Sequence, residues 1–107
     1  MNLLEISVCA AQAVEAHDDL ALIGGSRIER IVSRGHCSPP GFWYDQDHDE
    51  WCMVLQGEGV LGFEDGSAVR LVAGETAFLP AYKKHRVVST SVDPPCIWLA
   101  VHGPGKE

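Results

Sequence analysis

Two of the five histidines, His48 and His85, stand where their neighbours could give them chemistry to do. His48 lies in Asp45-Gln46-Asp47-His48-Asp49-Glu50, which holds four of the chain's fifteen acids and runs straight into the apolar stretch Trp51–Leu55. His85 follows Pro80-Ala81-Tyr82-Lys83-Lys84 and opens another apolar stretch. Imidazoles beside carboxylates can share a metal ion or pass a proton. The acidic run is not a calcium loop of the helix–loop–helix type. Asp45, Asp47 and Asp49 fit its first, third and fifth positions, but Glu50 replaces the glycine at the sixth and Gln56 the glutamate at the twelfth. His17 and His36 have no patterned neighbours, and His102 lies near the end of the last apolar run. Lys83-Lys84 reads as a solvated turn.

Short strands must position these residues. From Arg27 onward Ile28, Arg30 and Val32 alternate with Glu29, Ile31 and Ser33, a two-residue period. Pro39-Pro40-Gly41 breaks the chain, and Phe42 to Asp45 is short and aromatic. Trp51–Leu55 is too short for a helix and reads as a buried strand closed by Gly57 and Gly59. Val60–Phe63 and Ala68–Val72 flank Glu64-Asp65-Gly66-Ser67, where Asp-Gly tolerates the positive φ of a hairpin turn. Thr76–Leu79, His85–Thr90 and Ile97–His102 complete about eight strands, with turn signals every 8–12 residues and no helix between them. An antiparallel sandwich or barrel follows. Upstream, Cys9 to Ala16 reads as a short helix rich in good helix formers, ended by Gly24-Gly25.

Size and charge narrow the function. At 107 residues the chain makes one domain, against roughly 100–200 residues for a typical one. Its 46% hydrophobic and 21% charged residues suit a folded globule. The net charge of −7 argues against a phosphate-backbone partner, so no nucleic acid is expected. No apolar run approaches the ~20 residues of a membrane span, so no membrane partner is expected. Glu5 stands where a secretory leader would be positive. Cys9, Cys37, Cys52 and Cys96 form no C-x-x-C pair and read as reduced thiols of a cytoplasmic protein.

Most of the chain resembles the small single-domain cupins. Their second motif is a glycine, five residues, a proline, one residue, a glycine, two residues, a histidine, three residues and an asparagine. Gly74, Pro80, Tyr82, His85 and Ser89 keep that spacing, with Tyr82 replacing the second glycine and Ser89 the asparagine. Their first motif is H-x-H, three or four residues, a glutamate, six residues and a glycine. Glu50 and Gly57 keep its last gap, Val54-Leu55-Gln56-Gly57 is similar to its strand end, and the stretch from Gly57 to Gly74 has the short length of small prokaryotic members. The H-x-H positions fall on Tyr44 and Gln46, or on Trp43 and Asp45. The resemblance covers Ile28 to His102. It implies an all-β double-stranded β-helix, a jelly-roll barrel over residues 26–107, with residues 1–25 packing on the barrel or on a partner subunit.

The resemblance also implies a pocket inside the barrel that binds a small molecule, with Glu50 and His85 at metal-ligand positions. Strand parity would put Tyr44, Gln46, His48 and Glu50 on one face if that stretch stays extended. His48, Glu50 and His85 then make two imidazoles and one carboxylate, a set suited to iron, manganese, nickel or zinc, with Gln46 adding a neutral oxygen. Tyr44, Cys52 and Tyr82 are expected to line the pocket, and Glu50 is the candidate general base. Two classes of function stay open: an oxygenase or isomerase, and a non-catalytic binding, sensing or structural protein whose metal site is degenerate. If Glu50, Cys52 and Val54 point inward, Trp51, Met53 and Leu55 point outward. That apolar face predicts a homodimer.

Overall fold

In a computed structural model, which describes residues 1–6 and 15–105, the chain folds into eight antiparallel strands in two sheets. They are β1 (Ala16–Ile23), β2 (Ser26–Ser33), β3 (Glu50–Gln56), β4 (Glu58–Phe63), β5 (Ala68–Val72), β6 (Thr76–Leu79), β7 (His85–Thr90) and β8 (Cys96–His102). The first sheet runs β1-β2-β8-β3-β6 and the second β5-β4-β7. The spacing of the turns called for an antiparallel sandwich or barrel, and this is the all-β jelly roll that the cupin resemblance implies.

Alternation decides which residues face the space between the sheets. Along β3, Glu50, Cys52 and Val54 are buried while Trp51, Met53 and Leu55 are half-buried on the outer face. Along β8, Trp98, Ala100 and His102 share the inner face. Val54, Leu61, Leu71, Leu79 and Trp98 close the barrel's interior. The predicted Asp-Gly hairpin joins β4 to β5, with Gly66 at φ +89° and the Asp65 carboxylate accepting from the Ser67 backbone N–H and hydroxyl.

Two strand readings change. Residues 16–23 form β1, paired with β2 across the turn at Gly24, so Ala16 opens a strand and does not end a helix. The rest of that predicted helix, Cys9 to Val14, lies outside the described residues. The aromatic stretch Phe42–Asp45 is not a strand. Only Tyr44 pairs, through a two-bond bridge to His85 of β7: Tyr44 N–H donates to the His85 carbonyl at 2.7 Å and His85 N–H to the Tyr44 carbonyl at 3.1 Å. Residues 3–5 pack on the barrel, where the Arg30 guanidinium donates to the Leu3 and Glu5 carbonyls at 3.2 and 3.0 Å.

Candidate functional site

A cavity of about 80 Å³ opens between the two sheets. Four buried ionisable side chains line it: Glu29 of β2, Glu50 of β3, His85 of β7 and His102 of β8. Register explains how three of them meet. Glu50 stands directly opposite His102 in the β3–β8 ladder. Glu29 stands opposite Ala100 in the β2–β8 ladder, so it is the diagonal neighbour of His102 on the same face. His102 Nε2 lies 2.6 Å from Glu29 Oε1, and its Nδ1 lies 3.7 Å from Glu50 Oε1.

The electrostatics follow from these contacts. Burial alone would raise the Glu29 carboxyl. The hydrogen bond from His102 and the nearby charges of His102, Arg27 and His17 outweigh it and hold the carboxyl at about 2. Glu29 is therefore ionised and accepts the Nε2 proton of His102. Its other oxygen accepts from the Arg27 guanidinium at 3.0 Å. His85 Nδ1 lies 3.1 Å from the Lys83 carbonyl, an acceptor, so Nδ1 carries a proton, and when the ring is neutral its lone pair is on Nε2. Tyr44 stacks on that ring, with centroids 5.3 Å apart and planes 19° apart. Burial, then the charges of Glu15, Glu50 and Glu29, pushes the Tyr44 phenol up. Burial and the Glu50 charge push the Cys52 thiol up to about 12, so Cys52 is a neutral wall of the cavity.

The predicted residues divide. Glu50, His85, Gln46, Tyr44 and Cys52 all line the cavity, and Gln46 Nε2 donates to Glu50 Oε1 at 3.1 Å. His48 does not join that row. The chain bends at Asp47-His48 instead of running extended, which breaks the two-residue parity. The bend sets His48 Nε2 against His102 Nδ1 at 3.0 Å and His48 Nδ1 against Asp47 at 3.1 Å. Tyr82 is 59% exposed and lies outside the cavity lining. It occupies the motif's glycine position with a glycine-like φ of +65°, which turns its side chain to solvent. His102 and Glu29 went unrecognised in the sequence. Their signal was parity alone, and parity identifies a site only after the β2–β8–β3 pairing is known.

A metal centre is a poor fit to these side chains. His48 and His102 are bonded to each other, and both nitrogens of His102 are engaged. Among the described residues no three His, Cys, Asp or Glu side chains are grouped to hold a metal ion. The two H-x-H positions carry Tyr44, stacked on His85, and Gln46, which donates to Glu50 as a cation would otherwise do.

The sequence profile of the cupin domain matches residues 31–102. The chain belongs to the cupin family. A candidate mannose-6-phosphate isomerase of Ralstonia eutropha JMP134 is similar over nearly the whole length: 38% identity, TM-score 0.90, with 98% of this chain and 97% of that one covered. A cupin superfamily protein of Desulfitobacterium hafniense DCB-2 shares the fold at 19% identity and a TM-score of 0.73, covering 91% and 84%. An RmlC-like cupin of Desulfovibrio desulfuricans does so at 19% and 0.75, covering 97% and 94%. No curated protein matches the chain. Among the described residues, no helix is long and apolar enough to cross a membrane. Cys37, Cys52 and Cys96 are free thiols, and Cys9 lies outside the described residues.

Proposed function

We propose that this cupin binds a small polar molecule in the cavity between its sheets without a metal ion. The observation that carries this reading is the convergence of Glu29, Glu50, His85 and His102, all buried, on one cavity. Burying ionisable groups is costly unless they are paired or used. Glu29 and His102 are paired with each other, whereas Glu50 and the His85 Nε2 lone pair supply an acceptor each to a ligand. Elemental analysis of protein purified without a histidine tag tests the metal-free part: metal far below one ion per chain is expected. Iron, manganese, nickel or zinc near one per chain would overturn it and restore Glu50 and His85 as ligands.

An isomerase is the second reading. It is favoured by the 2.6 Å Glu29–His102 pair, a carboxylate–imidazole couple of the kind that moves protons, and by the name of the Ralstonia protein. The cavity's charge speaks against a phosphorylated sugar in particular. Glu15, Glu29 and Glu50 line it, and no Lys or Arg does so among the described residues. Incubation with mannose 6-phosphate should yield no ketose phosphate, and turnover would establish the enzyme.

A further inference from the structure

We infer that the cavity receives the ammonium head group of a small amine, with Glu50 as its counter-ion. This rests on the ligand-binding reading above and names the ligand's class.

Of the two buried carboxylates in the cavity, Glu50 has the weaker set of charged partners. It is 8% exposed, and its hydrogen-bond donor is the neutral amide of Gln46 at 3.1 Å. The nearest imidazole nitrogen is 3.7 Å away, on a ring already bonded to Glu29 and His48. No Lys or Arg pairs with Glu50 among the described residues, whereas Glu29 has Arg27, His102 and His17. A buried carboxylate in this state is stabilised by a cation brought from outside. The surrounding donors do not group around a metal.

The walls suit an organic cation. Tyr44 and Trp98 line the cavity, and aromatic faces attract a desolvated ammonium. The cavity of about 80 Å³ takes a head group of a few heavy atoms, with the rest of the ligand toward the mouth. An anionic ligand would meet Glu15, Glu29 and Glu50 together.

Three probes of nearly one shape separate charge from fit: 3-amino-1-propanol, 1,3-propanediol and 3-hydroxypropanoate. Each is titrated into the full-length protein near neutral pH, following the Trp98 indole N–H resonance. The amine is expected to bind at least about tenfold tighter than the diol, and the carboxylate not at all. Glu50→Gln should abolish the amine's advantage over the diol. Should Glu50→Gln misfold by circular dichroism, Tyr44→Leu must narrow the amine-to-diol ratio. A diol that binds as tightly as the amine overturns the amine assignment and leaves the pocket reading intact. An advantage that survives Glu50→Gln, or Tyr44→Leu in its place, does the same. No response to any of the three overturns both.

Discussion

His102 and Glu29 share a 2.6 Å hydrogen bond in the barrel interior, joining two strands through side chains that sit diagonally across the β2–β8 ladder. The bond has a direction. Glu29 is ionised, so His102 donates to it from Nε2, and its Nδ1 lies 3.0 Å from His48 Nε2. His48 in turn faces the exposed Asp47 carboxylate at 3.1 Å. A chain of side chains thus links the protein surface to the cavity wall.

Glu29 makes stability depend on acid. Its folded-state pKa is about 2, below the ordinary 4.5. A depressed carboxylate contributes fully above its unfolded value and loses the contribution as pH falls through the folded one. Urea unfolding should therefore show stability falling between about pH 4.5 and about pH 2. Glu29→Gln should cost about 1–3 kcal/mol near neutral pH, the range for a buried charge-assisted bond. The gap between variant and wild type should close toward about pH 2. A gap independent of pH would mean that the carboxylate's charge is not what holds His102.

The strands were legible in the sequence because each carries its own evidence. Trp51–Leu55 is an apolar run closed by Gly57 and Gly59, and Glu64–Ser67 is a hairpin turn by residue type. The early strand β1 was not, since His17-Asp18-Asp19-Leu20-Ala21-Leu22-Ile23 does not alternate cleanly and its register slips between Asp19 and Ala21. Within the site, Glu50 and His85 were legible from motif spacing. His102 and Glu29 were not, because their roles come from pairing between strands more than 60 residues apart in sequence. His48 was misplaced for a local reason: parity holds only where the backbone stays extended, and the chain bends there.

Gly59 is a steric requirement of the cavity wall. A Cβ at this position would lie 2.2 and 2.4 Å from two ring carbons of Trp98, which is buried and lines the cavity. Gly59→Ala must push the indole off its place, at a cost of about 1–3 kcal/mol for overpacking. Chemical unfolding should register the loss, and near-ultraviolet circular dichroism should change with it. An unchanged spectrum with full stability would mean that the ring has free space behind it.

Tyr82 is a residue in the wrong place for its backbone. At φ +65° a side chain with a Cβ costs about 1–2 kcal/mol, and an exposed phenol recovers little of it by packing. Glycine removes the strain and gives back about 0.5–1 kcal/mol through the greater freedom of the unfolded chain. Tyr82→Gly should raise stability by a net ~0.5–1 kcal/mol and leave ligand affinity unchanged, since the ring lies outside the cavity lining. Weakened binding would place Tyr82 at the mouth after all.

The outer face of the first sheet predicts a homodimer. Trp51, Met53 and Leu55 occupy the outward positions of β3, and Phe78, opposite Trp51 on the edge strand β6, is 61% exposed. Residues 3–5 are held by Arg30 on β2, two strands away from β3. Among the described residues, this segment is held at β2, away from β3 and β6. Completing the burial of a large apolar side chain contributes up to about 1.5–3 kcal/mol, and a second copy of the same face is the commonest symmetric cover. Light scattering at micromolar concentration should give about twice 11.6 kDa. Trp51→Glu, which sets a carboxylate on the two-fold face, should give the monomer mass while keeping the wild-type circular dichroism spectrum. A wild-type mass near 11.6 kDa would sink the dimer, and a Trp51→Glu variant that stays dimeric would move the interface to another face.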